Sequence, residues 1–494
     1  MLLCTCSSRV ERLEGYLYCR ISANPTTLDP AYVVDVMGGM IAAKLYNGLV
    51  RLDGNLQVVP DIARKWTISD DGLTYRFVLR SDVVFHNGQP LTASDVVYSL
   101  KRIQAPQTHS PNAWMLKNVD NINMLDNATV ELTLKKPFAP FLKLLTMPAA
   151  YIVSEVEVKR LGNDFGLHPV GTGPFAVARW NPDNDVVLKR NESYFNTPAK
   201  ISGIVYKIIP EDITSVTEFI IGNLDTLGVP SSAYSMLMKD ARYTDLLDHS
   251  EGLNTYYLGL NTSKAPLNNP SLRKAIACAI DRKKILESYL QRQGRYANSP
   301  VPDILKSYTV EDYYPYDPER ARAFLKTSGV KDPITLRFYV SAIQESIDVA
   351  EIIAYYLNQV GIRVEIRILE WSAYKVAVNN GESDMFWLSW WADYPDGENF
   401  LYPMFHSSNF GAGGNRVRYS NPYVDALIEK GQTTLVESEK EAVYQDVEDV
   451  IATEAAAVFF WHRNDYILRQ PWIKGYRLYP IYNIDKATEI EIKR

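Results

Sequence analysis

The pattern of apolar and polar residues changes its period along this chain of 494 residues, and the changes predict the secondary structure. Thr74–Leu79 alternates between apolar and polar positions, which is typical of a half-buried strand. Apolar residues recur on one helical face after Asn269-Pro270, and Ile347–Val360 is predicted as a helix that ends at Gly361. Ile362–Ile368 then alternates strictly, so a strand follows that helix. Helix followed by strand, repeated in the C-terminal half, predicts an α/β lobe with a largely parallel sheet.

Capping residues locate further helix ends. Thr92 followed by Asp95 resembles a capping box and predicts a helix through Ile103. Asp317-Pro318 predicts a helix start, and Gly329 predicts its end because glycine tolerates the left-handed conformation found there. Two more helices are predicted over Val424–Lys430 and Glu437–Thr453, and a last strand is predicted over Ala457–Trp461.

The run Trp390-Trp391-Ala392-Asp393-Tyr394 combines adjacent indoles with a carboxylate. It follows Asp384–Ser389, which is predicted as a short buried strand running into a loop. Indoles favour burial with a satisfied N–H, and a carboxylate beside them needs a cation or several donors in place of water. The arrangement predicts an apolar pocket with one fixed negative charge that receives a positive group. The alternative is that the indoles are core and Asp393 caps the turn implied by Pro395 and Gly397.

Length, charge and composition narrow the class of function. At about 150 residues per domain, the length predicts about three domains. Lys and Arg number 52 against 58 Asp and Glu, a net charge of −6 without a basic patch, so nucleic acid is not an expected partner. The 32 Tyr and 9 Trp suit a binding surface or, alternatively, a tyrosine-rich core. No apolar run reaches about 18 residues, so no membrane-spanning segment is expected.

The cysteines and the first residues bear on metal binding and export. The cysteines are Cys4, Cys6, Cys19 and Cys278, and together with six scattered histidines they predict no zinc site. Cys278 lies on an apolar helix face and is predicted to be a small buried hydrophobe. Met1–Ser8 looks like the tail of a signal peptide, so Cys6, or else Cys4, is a candidate lipid anchor. The alternative is a disordered N-terminus.

Motifs for catalysis are missing from the sequence. It contains no G-x-S-x-G nucleophile elbow and no H-E-x-x-H motif. Because catalytic triads are dispersed along a chain, this observation lowers the expectation of an enzyme without removing it. We therefore expect a protein without enzymatic activity, metal or cofactor.

Short motifs follow one another in a characteristic order over residues 16–490, nearly the whole chain. They are Leu28-Asp29-Pro30, Leu45–Leu49, Pro60–Trp66, Tyr75–Arg80, Leu91–Ser99, Gly171–Phe175, Pro270–Ala275, Tyr316–Ala321, Trp391–Tyr394 and Gln470–Ile473. This ordered series resembles the extracellular solute-binding proteins of ABC importers, in the family that includes the oligopeptide- and dipeptide-binding proteins. A single motif would be weak support, whereas the series in order is specific.

The resemblance implies a two-lobed periplasmic-binding-protein fold that closes like a clamp, with an extra small domain and mixed sheets flanked by helices. The first residues, 1–15, are expected to be a signal remnant or disordered. The expected domains are domain I over 16–50, 170–262 and 474–494, domain II over 51–169, and domain III over 263–473. Hinge strands at both crossings would let the lobes close on a ligand.

The resemblance also implies capture of oligopeptides and their delivery to an ABC permease and ATPase. It implies a monomeric lipoprotein of the periplasm or cell surface. Family members hold an extended peptide by main-chain hydrogen bonds, and an aspartate pairs with the peptide's amino terminus. Asp393 falls on that position, beside Trp390-Trp391-Ala392 and Tyr394. The segment from Val34 to Val36 falls where such proteins supply backbone contacts.

Two positions of the implied ligand site depart from the family pattern. Trp387 stands where some members carry an arginine that can meet a ligand carboxylate. Asn112 stands after Ser110-Pro111, where a tyrosine is expected. Ligand length and carboxylate recognition are therefore open. The alternative ligands are an oligosaccharide stacked on Trp390 and Trp391 or another non-peptide solute with an amine, and a peptide hydrolase on the same lobes is a further alternative.

Overall fold

The computed structural model describes residues 12–331 and 333–494, and the chain divides into two compact units. The first unit is built from the described part of Met1–Lys136 together with Phe141–Ser250 and Asp465–Arg494. The second unit is built from Pro137–Pro140 and Glu251–Asn464. Cys4 and Cys6 lie outside the described residues, and the three-domain boundaries stay a prediction.

The first unit opens with a strand and then mixes short helices with runs of consecutive strands. Its strands are β1 (Tyr16–Ile21), β2 (Val50–Leu52), β3 (Val58–Pro60), β4 (Ala63–Ile68), β5 (Thr74–Leu79), β6 (Val119–Asp126), β7 (Thr129–Leu134), β8 (Phe175–Asn181), β9 (Asp185–Arg190), β10 (Gly203–Ile208), β11 (Thr226–Gly228) and β12 (Leu247–Glu251), whose last residue belongs to the second unit. Its helices are α1 (Val36–Leu45), α2 (Ala93–Gln104), α3 (Phe141–Leu144), α4 (Glu155–Leu161), α5 (Asp212–Ile220), α6 (Ser231–Met238) and α7 (Ala241–Thr244).

Two four-stranded sheets organise the first unit. In one, β1 runs parallel to β10, and β9 and β8 follow in antiparallel order. The other has the antiparallel order β4-β5-β7-β6. The strand predicted over Thr74–Leu79 is confirmed as β5 with the same bounds. The predicted capping box is confirmed at the start of α2, where the Thr92 backbone N–H donates to Asp95 Oδ2 at 3.0 Å.

The second unit carries the longer helices. Its strands are β13 (Asn254–Leu260), β14 (Gly294–Tyr296), β15 (Ile334–Ser341), β16 (Ile362–Leu369), β17 (Met385–Trp391) and the first part of β18 (Ala457–Arg469). Its helices are α8 (Pro270–Ala279), α9 (Arg282–Ser288), α10 (Pro318–Ser328), α11 (Gln344–Asn358), α12 (Trp371–Asn379), α13 (Glu398–Phe405), α14 (Pro422–Thr433) and α15 (Glu437–Thr453). From Asp465 onward the chain belongs to the first unit, to which it adds the short pair β19 (Ile473–Lys474) and β20 (Glu491–Ile492).

The sheet of the second unit has the strand order β18-β13-β17-β15-β16, with β14 paired to β18. The prediction of a largely parallel sheet is wrong, because only β17, β15 and β16 run parallel. Strand β13 is antiparallel to both β17 and β18. Alternate residues supply two cores, with Phe338 and Met385 in one and Tyr339 and Phe386 in the other.

The helix ends predicted from capping residues are confirmed. Asn269 and Asp317 each accept a backbone N–H of the first turn with their side chains, at the starts of α8 and α10. Gly329 follows α10 with φ at +65°, the left-handed conformation that glycine adopts without strain. Helix α15 has the predicted bounds Glu437–Thr453. Cys278 is fully buried on α8, as predicted.

Candidate functional site

The tryptophan pair lies at the end of β17 and not in the loop after it. Trp390 and Trp391 pair with Thr255 and Asn254 of β13, so the strand continues beyond its predicted end. The backbone N–H of Ala392 still donates to a carbonyl of the neighbouring chain segment, that of Leu253, at 2.9 Å. The sheet therefore fixes the backbone up to the residue before Asp393.

The two indoles differ in their surroundings. Trp390 is half-buried against the core that contains Tyr339 and Phe386, and its Nε1–H donates to the Asn399 carbonyl at 2.7 Å. Trp391 is 47% exposed, and its Nε1–H reaches Ser389 Oγ at 3.3 Å. One indole is thus a packing residue with a satisfied N–H, while the other presents an apolar face to solvent.

The Asp393 side chain is accessible to solvent, but protein atoms crowd the carboxylate and remove part of its hydration, and its backbone is fixed. Its backbone N–H donates to Asn399 Oδ1 at 2.8 Å. Desolvation raises the pKa of Asp393 to about 6, and a hydrogen bond from the Asn399 side chain offsets part of the shift. Among the residues that the structure describes, no Lys, Arg or His forms an ion pair with this carboxylate. Keeping a negative charge in these surroundings without a neighbouring cation costs free energy. The site therefore favours a ligand with a positive group.

The turn after Asp393 is capped by a different acid. Asp396 is 2% exposed, and its Oδ1 accepts the backbone N–H of Glu398 at 3.0 Å, at the start of α13. The alternative prediction was that Asp393 caps this turn. In the structure, Asp396 makes that capping contact. This leaves the Asp393 carboxylate available for another partner.

A buried polar network fixes the loop from the far side. Glu398 accepts hydrogen bonds from the Tyr394 hydroxyl and from Gln432 Nε2, the latter at 2.7 Å. Lys440 Nζ lies 2.9 Å from Asp396 Oδ2, and both side chains are almost fully buried. Burial is the main cause that raises the pKa of Glu398 to about 7. A site residue carried by such a network is held in place before a ligand arrives, which lowers the entropic cost of binding.

These fixing residues were not identified from the sequence. Gln432 and Lys440 lie 34 and 44 positions from their partners Glu398 and Asp396, a distance at which no local pattern links them. Only Asp396 left a signal, since an Asp two residues before a helix start is a common capping arrangement. Helix α13 itself was not predicted, because Gly397 and Pro403 flank or interrupt its short apolar pattern.

Trp387 occupies the interior. It is 4% exposed, and its ring lies edge-on to Phe460 at 4.9 Å and tilted to Trp461 at 5.4 Å between centroids. In this structure the side chain fills a core, where an arginine would need a buried partner. Its predicted place in the ligand site stays a prediction.

The remaining predicted residues belong to the first unit. Val34 and Val36 are 66% and 51% exposed, on the segment that leads into α1. Asn112 is buried, and its Nδ2 donates to the carbonyl of Val33 at 3.0 Å and more weakly to that of Ala31 at 3.4 Å. Asn112 therefore holds the loop that carries Val34, and its side-chain amide N–H groups are engaged by backbone carbonyls.

Nowhere in residues 12–331 and 333–494 do three or more His, Cys, Asp or Glu side chains come together as possible metal ligands. No helix within these same residues has the length and apolar character that crossing a membrane requires.

The chain is similar to known proteins over most of its length. The family model described as Bacterial extracellular solute-binding proteins, family 5 Middle, matches residues 57–412. The chain is 29% identical to Heme-binding protein A of Haemophilus influenzae, over 93% of this chain and 89% of that protein. It is also 29% identical to Glutathione-binding protein GsiB of Salmonella typhi, over 88% of this chain and 86% of that protein.

A solved structure shares the fold. The ABC transporter-associated periplasmic binding protein DppA from Helicobacter pylori, in complex with the peptide STSA, has a TM-score of 0.83 and 27% sequence identity. The similarity covers 97% of this chain and 98% of that chain. The predicted fold class, a mixed α/β periplasmic-binding-protein fold, is confirmed.

Proposed function

Because the chain belongs to family 5 of the bacterial extracellular solute-binding proteins, we propose that it captures oligopeptides and delivers them to an ABC permease and ATPase. The observation that carries the proposal is the Asp393 carboxylate, which has no ion-pair partner among the described residues and lies beside the exposed Trp391. The structural similarity to DppA, whose structure holds the peptide STSA, supports this class of ligand. The proposed location is the periplasm or the cell surface.

The chemistry of the site favours a ligand with a free amine. A peptide's amino terminus is a cation, and it needs a charge-assisted partner once it leaves water. Asp393 supplies that charge on a loop that the buried network already holds in place. Haem, which the relative Heme-binding protein A is named for, carries carboxylates that a negative Asp393 would repel. Backbone hydrogen bonds to an extended peptide would add affinity without demanding one sequence.

Native mass spectrometry of the purified protein with a mixed peptide library tests the proposal. We expect retained masses that correspond to intact peptides with free amino termini. Recovery of cleaved peptides would instead support a hydrolase. Retention of N-acetylated peptides as readily as free ones, or of no peptide at all, would rule out the amine-anchored binding proposed.

Peptide affinity is expected to rise with pH through about pH 6, the pKa of Asp393 in the unliganded protein. The ammonium pairs with the ionised carboxylate, so protonation of Asp393 competes with binding. Below that pKa the affinity should fall by up to about tenfold per pH unit, with proton release on binding near pH 6; it should be highest near pH 7 and fall again as the peptide's α-amino group deprotonates near about pH 8. Isothermal titration calorimetry between about pH 5 and 8 measures this slope.

The Asp393→Asn variant is the control for this pH dependence. It keeps Glu398, whose pKa of about 7 lies in the same window, and removes only the titration of Asp393. The slope should therefore disappear in the variant. A slope of equal size in both proteins would assign the pH dependence to Glu398 and the loop network.

A sugar ligand is the second candidate, because the exposed face of Trp391 could stack on a pyranose ring. Only one of the two predicted stacking indoles is available, since Trp390 is half-buried and its N–H is occupied. Saturation-transfer NMR with oligosaccharides distinguishes the candidates. A sugar signal that Trp391→Ala abolishes, together with no retained peptide, would favour the sugar.

A further inference from the structure

One row of side chains crosses the sheet of the second unit on the face that carries Trp390. Arg295 of β14 pairs with His462 of β18, and Thr255 of β13 pairs with Trp390 of β17. Strands β18 and β13 are antiparallel neighbours, and their register places His462 beside Thr255. Because directly paired residues point to the same face of a sheet, these four side chains form one line, here called the transverse row. The row ends at Trp390, three positions before Asp393.

Two polar side chains of the transverse row lack hydrogen-bond partners. Nε and Nη2 of Arg295 are buried and, within the part of the chain that the structure describes, have no acceptor. The hydroxyl of Thr255, a residue with no exposure to solvent, has no partner among the same residues. Leaving buried polar groups unpaired costs free energy, so such groups mark a place that a ligand or ordered water completes.

The charge of Arg295 is already balanced at its third nitrogen. Nη1 lies 3.0 Å from Glu251 Oε1, in a pair whose side chains are 31% and 37% exposed. Nε and Nη2 form the remaining edge of the guanidinium, and their parallel N–H groups match the two oxygens of a carboxylate. The same edge of Arg80 donates to both oxygens of Asp82, at 2.9 and 2.7 Å. The edge left open on Arg295 therefore has the donor geometry of a carboxylate site, independently of any excess positive charge.

His462 adds no charge to the transverse row. Its Nδ1–H donates to the carbonyl of Asn254 at 2.8 Å, which leaves Nε2 as an acceptor in the neutral ring. Burial lowers the pKa of His462 to about 3, and the cations Lys306 and Arg295 act in the same direction. Lys306 is itself paired with Glu448 at 3.0 Å. Arg295 is therefore the one member of the row that is charged at neutral pH.

We propose that Arg295 binds the peptide's terminal carboxylate through Nε and Nη2, a role that rests on the proposed function, in which Asp393 holds the amino terminus. Neighbouring strands lie about 4.8 Å apart, so three spacings separate Arg295 from Trp390 by about 14 Å. An extended peptide advances by about 3.3–3.6 Å per residue and covers this distance in about four residues. Tetrapeptides should therefore reach both Asp393 and Arg295, whereas dipeptides should not.

Calorimetric titration near pH 7 with a tetrapeptide and with its C-terminal amide tests this role. Wild type should bind the free acid at least roughly tenfold more tightly than the amide, because a charged acceptor becomes neutral. In Arg295→Met this preference should fall below about twofold, whereas the preference for a free over an acetylated amino terminus should remain. The affinities of a dipeptide and its amide should be the same in wild type and Arg295→Met.

Glu251→Gln is the matched control, because it removes the same ion pair and keeps Arg295. It should preserve the preference for the free acid. A loss of preference in Glu251→Gln as large as in Arg295→Met would assign the effect to the ion pair and overturn the proposed role. An unchanged preference in Arg295→Met would overturn it as well, and would leave only ordered water at this edge.

Arg295→Lys decides the question if Arg295→Met fails to fold. It keeps the charge beside Glu251 but loses the planar fork, so most of the preference for the free acid should disappear. Binding of no peptide by wild type would refute the proposed function itself. Binding that requires a free amino terminus but ignores the carboxylate would refute only the role of Arg295.

Discussion

Replacing Asp393 with asparagine is expected to weaken binding of a peptide with a free amino terminus by about 2–5 kcal/mol, as for other desolvated charge pairs. This corresponds to a loss of roughly thirtyfold to a few thousandfold in affinity. The variant keeps the size of the side chain and removes its charge, so the ammonium would be buried without a counterion. Calorimetric titration with one tripeptide, near pH 7 where Asp393 is ionised and the peptide's α-amino group is still protonated, measures the loss.

The size of the effect distinguishes two situations at Asp393. The carboxylate is exposed in this structure, and an ion pair that stays exposed contributes only about 0–1 kcal/mol. A loss above about 2 kcal/mol therefore requires that the pair becomes desolvated when the ligand binds. An N-acetylated peptide should bind wild type and variant alike. Asp446→Asn removes an exposed acid of α15 and should leave affinity unchanged.

If Asp393→Asn binds the free peptide as tightly as wild type, Asp393 is not the amine anchor. If the variant loses affinity equally for free and acetylated peptides, Asp393 acts on the shape of the site and not through the ligand's charge. Both results would contradict the proposed role.

Replacing Lys440 with methionine is expected to lower the free energy of unfolding by about 3–5 kcal/mol. The change removes the ammonium 2.9 Å from the Asp396 carboxylate, in a pair whose side chains are only 4% and 1% exposed. Burial alone would lower the pKa of Lys440, but Asp396 and Glu437 outweigh it and raise the pKa, so the lysine is charged at neutral pH. Urea denaturation near pH 7 measures the change.

Two further variants control for general effects of the substitution. Lys430→Met removes an exposed lysine of α14 and should change the unfolding free energy by less than about 0.5 kcal/mol. Adding Asp396→Asn to Lys440→Met removes the buried carboxylate's charge as well and should restore part of the stability. A loss below about 1 kcal/mol in Lys440→Met would show that desolvation nearly cancels this pair.

Local signals in the sequence predicted many of the elements. Thr92 and Asp95, or Asp317 and Gly329, act within one helix, so their effect can be read from neighbouring residues. The strict alternation after Gly361 likewise reports one strand, β16, which has nearly the predicted bounds. Such patterns do not say which strands pair, and for this reason the direction of β13 and β18 was not predicted.

The candidate site was predicted only in part, for the same physical reason. Asp393 and Trp391 were identified because their chemistry is unusual in adjacent positions. The extension of β17 through Trp391 depends on pairing with Asn254, far away in the chain. Glu398 and Lys440 fix the loop through buried contacts with Gln432 and Asp396, which are distant in the sequence. From the sequence alone, both residues look like ordinary charged positions on helices.

The carboxylate of Asp225 has a consequence for the order in which the chain folds. This side chain is fully buried in the first unit, where it meets Arg12, 213 positions earlier, Trp472, 247 positions later, and Arg494, 269 positions later. The second unit is built almost entirely from one continuous stretch, Glu251–Asn464. Because the chain emerges from its N-terminus, the first unit cannot complete the contacts of Asp225 until Trp472 and Arg494, near the end of the chain, are available. The unit begun later can complete its core sooner.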